Sequence, residues 1–185
     1  VYGVTSGAFR HRWWNYYERG LSFADGEFWK AAEADFRRAL TQENAPKNDE
    51  RQIRTYGRHF TDYFPHRELG IALYYQGRYS EAIRELEASL SGVKSAKAEY
   101  YLDSVRKIWI EQENLDARPP EIFIETPGHE TVSNQFVFTV RGSAKDDTFV
   151  KEIRVNGIPV RIDLAARQIP FEEKVPLKTG LNRII

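Results

Sequence analysis

The sequence predicts an α + β chain whose two classes occupy separate domains, a helical domain over residues 1–117 and a β domain over residues 118–185. Three observations carry this expectation. Up to Arg118, apolar residues recur at three- and four-residue intervals, which lays a stripe along one face of a helix. After Pro120 the interval falls to two, the period of a half-buried strand. Between them, Pro119-Pro120 lacks two backbone donors and stiffens the junction.

In the first domain, Ala31, Ala32, Phe36, Ala39 and Leu40 follow helical spacing, with Glu33, Asp35, Arg37 and Arg38 on the other face. Ala82, Ile83, Leu86 and Leu90 predict a second helix against Glu81, Arg84, Glu85 and Glu87. A third amphipathic stretch runs from Ala96 to Gln112 through Tyr100, Tyr101, Val105, Ile108 and Trp109. Between Thr41 and Pro65 the spacing of Ile53, Tyr56, Phe60 and Phe64 predicts a polar loop and then a helical segment that extends the following helix. In the second domain, Ile122 and Ile124, then Phe136, Phe138 and Val140, then Ile153 and Val155, then Val175 and Leu177 alternate with polar neighbours. Asn156-Gly157 marks a hairpin, because both residues accept positive φ. Short strands at this spacing predict an all-β sandwich.

Composition excludes several functions. Lys plus Arg and Asp plus Glu are 27 each, and the balance is equal on both sides of Arg118. A nucleic-acid or membrane-surface protein would carry a basic excess. The longest uninterrupted apolar run, Ile71 to Tyr75, is too short to span a bilayer. Cysteine is absent, so there is no thiol nucleophile, disulfide or Cys-based metal site. Methionine is absent even at position 1, so a processed or trimmed chain is expected.

Catalytic signatures are missing: there is no G-x-S-x-G elbow, P-loop or G-x-G-x-x-G. His11, His59, His66 and His129 form no H-E-x-x-H pair, and surface or turn positions are expected for them rather than a zinc site. Asp146-Asp147 is expected on a loop between strands, where calcium is the ligand to weigh. Calcium needs six or more oxygens, and Lys145 and Lys151 oppose it, so a solvated turn is the expectation. No cofactor and no metal are expected. Trp13, Trp14, Tyr16 and Tyr17 follow Arg10, His11 and Arg12 and could suggest an interfacial anchor; packing inside the first helix pair is favoured.

The helical half contains an internal repeat. Gly20, Trp29, Ala32, Phe36 and Ala39-Leu40 align with Gly70, Tyr79, Ala82, Leu86 and Ser89-Leu90. Leu69-Gly70, Leu73, Gly77, Tyr79, Ala82 and Leu86 resemble the tetratricopeptide repeat, and the similarity spans roughly Trp13 to Gln112. It departs from the pattern in the first copy, where Arg19 replaces leucine and Gly26 lies one position early. An irregular helical bundle is the competing reading. The resemblance implies a concave groove that accepts a protein partner or peptide segment. Carried over position by position, it is lined by Tyr17 and Leu21 in the first copy and by Arg67, Ile71 and Tyr74 in the second. Tyr101, Val105 and Ile108 on the third helix complete it. Residues 119–185 are similar to bacterial immunoglobulin-like modules, through the run from Val140 and Gly142 to the Asn156-Gly157 turn and Gly180-Leu181-Asn182.

The pair of resemblances implies a non-enzymatic interaction or scaffold module, extracytoplasmic in a bacterium. It is similar to the front portion of larger envelope proteins, some with a caspase-like domain. The alternatives are a regulatory region of an envelope protease and an accessory subunit of an envelope complex or filament. A strand is expected to begin in Gly180 to Ile185, leaving the sandwich short of its closing strand.

Overall fold

The computed structural model describes residues 1–113, 119–126 and 131–185. They include helices and antiparallel sheets, so the chain is α + β. It divides into two compact units, Val1–Val105 and Arg106–Ile185. The boundary expected at residues 117 and 118 lies outside the described residues, as does His129.

The first unit opens with two helices, α1 (Trp13–Asp25) and α2 (Trp29–Thr41). A second pair follows, α3 (Pro65–Tyr75) and α4 (Tyr79–Gly92), and then the start of α5 (Ala96–Glu113). What joins each pair is the absence of a side chain. A Cβ at Gly20 would lie 2.6 Å from the Phe36 ring, and one at Gly70 would lie 2.7 Å from Leu86 Cγ. Each glycine thus lets the large residue sixteen positions later settle onto the helix backbone. Ala32, Phe36 and Ala39, and likewise Ala82, Leu86 and Ser89, are fully buried at these crossings. The two irregularities of the first copy have local causes. The Arg19 guanidinium lies over the Phe9 ring and pairs with the buried Asp35 at 2.7 Å, so a cation fills the leucine position. The left-handed turn residue occupied by Gly77 (φ 73°) is Glu27 (φ 61°) in the first copy, while Gly26 is small because the Tyr2 ring lies on it.

Between the pairs the expected helical extension is absent. Residues 50–63 form a hairpin instead, β1 (Glu50–Arg54) and β2 (Phe60–Tyr63), antiparallel with a bulge between Glu50 and Ile53. Gln52 takes φ 51° at the bulge, and Gly57 takes φ 55° in the turn. The three- and four-residue spacing of Ile53, Tyr56, Phe60 and Phe64 is therefore not a helical stripe. Phe60 and Tyr56 face solvent, while Tyr63 and Phe64 enter the core. There Tyr63 stacks edge-on against Trp13 and Tyr17, at 4.5 and 4.9 Å between centroids. The Phe64 backbone N–H donates to the Tyr17 hydroxyl at 3.1 Å. The Tyr63 hydroxyl is buried with no hydrogen-bond partner among the described residues.

Asp49, the residue before β1, supplies the cap that α3 lacks locally. Its carboxylate accepts from the backbone N–H groups of His66 (2.9 Å) and Arg67 (3.2 Å), which have no intrahelical acceptor. Burial pushes the Asp49 pKa up, against the pull of those two donors.

In the second unit, β3 (Glu121–Ile124), β4 (Val137–Val150) and β7 (Ala166–Pro176) form an antiparallel sheet in that order, and β5 (Arg154–Val155) pairs with β6 (Ile158–Pro159). The expected Asn156-Gly157 hairpin is present, with φ 52° and 77°. Ile153 and Val155 share one core with Val140, Ala144, Ile169, Phe171 and Val175 of the sheet. From α5, the Arg106 guanidinium reaches the Ala165 carbonyl at 2.5 Å and lies over the Phe149 ring. Two expectations are corrected. Asp146-Asp147 lies inside β4 rather than on a loop, with the buried Asp146 carboxylate accepting from both the backbone N–H and the hydroxyl of Thr148. Gly180 to Ile185 is not a strand: Asn182 closes a turn on Lys178 and Gly180, and Ile185 exchanges two hydrogen bonds with Asn156.

Placing Leu at Gly70 would overpack the α3–α4 crossing and cost about 1–3 kcal/mol, read as a lower urea midpoint at unchanged slope. Tyr63→Phe removes a buried hydroxyl without a partner, and should raise stability by about 1 kcal/mol, measured in the same titration.

Candidate functional site

The expected groove residues do not form one surface. Tyr17 is 2% exposed and Ile71 4% exposed, so both belong to the core and neither lines an open groove. Tyr17 packs against Tyr63 and Phe36, and burial raises its pKa. Leu21 is half-buried. Val105 is in the core, and Ile108 is half-buried on the part of α5 that belongs to the second unit.

Arg67 is committed internally. Its guanidinium lies 4.0 Å over the Phe64 ring, pairs with Glu68 at 2.7 Å and donates to the Ser95 hydroxyl at 3.3 Å. Glu68 is buried and also receives Lys97 at 2.9 Å. This cluster ties α3 to the start of α5.

Tyr74 and Tyr101 do lie together, at 5.5 Å between centroids, within a larger aromatic face. Tyr75 is its centre. It stacks on Trp29 at 4.2 Å with planes 9° apart, and its hydroxyl meets that of Tyr101 at 3.1 Å. Tyr100 continues the face edge-on to Tyr101 at 5.3 Å. Tyr75 is 49% exposed and Tyr100 67% exposed, so much of this aromatic surface meets water. Burial raises the pKa of Tyr74, and burial together with the Tyr75 hydrogen bond raises that of Tyr101, so these hydroxyls stay neutral at ordinary pH. Tyr75, Tyr100 and Trp29 escape the groove assignment because they sit at a helix end, beside a groove position and at a helix start. The signal available in the sequence was the doublets Tyr74-Tyr75 and Tyr100-Tyr101, since adjacent helix positions point about 100° apart and put one ring inward and one outward.

Beside this face is an open depression of about 780 Å³, lined by Phe28, Trp29, Lys30, Tyr75, Gln76 and Arg78 among others. Two of its lining residues, Gln76 and Arg78, belong to an ion-pair net. Glu33 receives Arg37 at 2.8 Å, Arg78 at 2.7 Å and the Gln76 amide at 2.9 Å; Arg78 and Arg37 also reach Glu81. Burial opposes ionisation of Glu33, but hydrogen bonds from Arg37, Gln76 and Arg78 outweigh it and hold its pKa below the usual carboxylate range.

Among the described residues no cluster of three or more His, Asp or Glu could hold a metal ion. His11 bonds the Tyr16 hydroxyl, His59 packs on Tyr56, and His66 bonds Glu85. Trp13 is in the core, against Tyr63. No helix of the described residues is long and apolar enough to cross a membrane. Comparison of the chain with family models, with curated proteins and with solved structures finds no match.

Arg67→Ala leaves the buried Glu68 with one cationic partner and strips the face of Phe64. It should therefore cost about 2 kcal/mol of stability, measured by urea unfolding against Lys94→Ala, whose exposed side chain forms no ion pair at this cluster.

Proposed function

We propose that this chain is a non-enzymatic interaction module of the bacterial envelope, acting outside the cytoplasm. In this reading a short tetratricopeptide-like helical repeat binds a protein partner or peptide segment, and an immunoglobulin-like β module follows it. The repeat reading is supported by two helix pairs that use the same glycine-to-large-residue crossing fifty positions apart in sequence. The immunoglobulin-like reading is supported by Ile153 and Val155, at the start of the β5–β6 hairpin, which share one core with residues of β4 and β7.

The observation that carries the functional reading is the aromatic face of Trp29, Tyr74, Tyr75, Tyr100 and Tyr101. Tyr and Trp are enriched among the residues that dominate binding energy, because they bury a large rigid area at little entropic cost. The Trp29–Tyr75 stack and the Tyr75–Tyr101 hydroxyl contact hold these rings in place before a partner arrives. Arg78, beside Tyr75 in the lining of the depression, and Arg37 are matched by Glu33 and Glu81, and Arg67 by Glu68. Docking therefore draws on burial of aromatic surface, with the tyrosine hydroxyls supplying directional hydrogen bonds.

The test is a photo-reactive phenylalanine analogue at Tyr75, with a matched control at Arg183, irradiated in native envelope fractions and read by mass spectrometry. A partner crosslinked at Tyr75 and not at Arg183 is expected. With that partner in hand, Tyr75→Ala combined with Tyr101→Ala should weaken binding by about 2 kcal/mol or more, some 30-fold, at unchanged helical circular dichroism. Equal affinity of this variant and the parent would move the interaction off this face.

A further inference from the structure

We propose that His66 is a proton-operated latch on residues 42–64: the imidazolium ties this insertion to the helices, and loss of its proton loosens it. The geometry is specific. Nδ1 of His66 lies 2.7 Å from Glu85 Oε2 on α4, and Nε2 lies 2.9 Å from the Lys47 carbonyl oxygen in the insertion. Both partners are acceptors. A neutral imidazole has one N–H and one lone pair, so it could satisfy one of these contacts while its lone pair opposed an oxygen at the other. Only the imidazolium donates to both. The proton is exchanged with solvent, and the ring is half-buried at the edge of α3.

The same residue carries the second tie. Its backbone N–H donates to the Asp49 carboxylate, as does that of Arg67, so the insertion also caps α3. The groups facing or flanking the ring are the Glu85 carboxylate from α4 and the Asp49 carboxylate with the Lys47 carbonyl from the insertion. Arg67 and Glu68 follow it on α3, where they pair with each other. The Lys47 ammonium turns away, to the Leu40 carbonyl at 2.9 Å. Arg51, two positions after Asp49, reaches the Lys94 carbonyl and Asp62. Negative charge therefore outweighs positive charge close to the ring. The hydrogen bond to Glu85 is the main cause holding the His66 pKa above its ordinary 6.5; burial opposes it, while the Lys47 carbonyl and the charges of Glu85 and Asp49 add to it.

The sign follows from linkage. A folded-state pKa above the unfolded one gives stability that is complete below the unfolded value and is lost as pH rises through the folded value. The insertion is thus held at pH below 6.5 and released as pH rises through the raised pKa of the folded state. Release would affect Tyr63 and Phe64, which the insertion places in the aromatic core.

The test combines an NMR titration of the His66 ring with amide exchange, corrected for intrinsic rates, between about pH 6 and pH 9. In the parent protein, His66 is expected to titrate above 6.5. The amides of His66, Arg67 and Gln52 should lose protection roughly tenfold for each unit by which that pKa is raised, with the same midpoint. In Glu85→Gln, a change on the half-exposed side of α4, the ring midpoint should fall toward 6.5 and the loss of protection should move with it. In His66→Gln the pH dependence of these amides should vanish; should that variant not fold, Glu85→Gln alone decides. Flat protection across the range in the parent, or identical midpoints in the parent and Glu85→Gln, would overturn the latch.

Discussion

The first unit depends on two places where a helix has no side chain. At Gly20 and Gly70 the approach is so close that even a methyl group would strike Phe36 or Leu86. The small residues Ala32 and Ala82 are fully buried on the partner helices. Phe36 then presents its ring to Tyr17, and Tyr17 to Tyr63. The inner aromatic packing of the unit therefore builds on the missing Cβ atom at Gly20. Each pair also fixes where its helices end, and those ends carry Trp29 and Tyr75 into contact.

Much of this was legible because packing constraints leave fixed spacings. The interval of sixteen from glycine to large residue is visible in the sequence and is the crossing itself. The hairpin of residues 50–63 was not legible, since four apolar residues at helical spacing coincide with a bulged strand pair. Gly57, in the turn, and Gln52, at positive φ in the bulge, set its register, and neither disturbs the apolar spacing. The partner that makes the hairpin necessary is also remote in sequence: Asp49 caps a helix that begins sixteen residues later. Contacts of that kind leave no local pattern. In the β unit the Asn156-Gly157 turn is readable from two residues, whereas Asp146-Asp147 reads as a loop although the Asp146 carboxylate serves Thr148 inside a strand.

The candidate site shows the same division. Repeat position points to Tyr74 and Tyr101, and they do meet. Tyr17 and Ile71 are also groove positions of the repeat but are buried, Tyr17 against Phe36 and against Tyr63 of the insertion, so a position that is open in a regular tandem is closed here. Arg67 illustrates a different limit. Its residue type suits recognition, yet a buried carboxylate beside it and an aromatic ring beneath it take up its capacity within the fold. The zero net charge of the chain has this local counterpart, in that Arg37 and Arg78 near the aromatic face are paired with Glu33 and Glu81 within and across the two helix pairs.

The hairpin that breaks the tandem is anchored at its base and open at its tip. Tyr63, Phe64 and Asp49 hold the base, whereas Gly57 and Arg58 face solvent and a side chain added at Gly57 would touch nothing. Chain length at the tip is thus decoupled from the core, because lengthening a loop already closed at its base adds only a logarithmic entropy cost. Over evolutionary time this is where the molecule can accumulate insertions at little cost, and where a foreign peptide could be grafted without disturbing either helix pair.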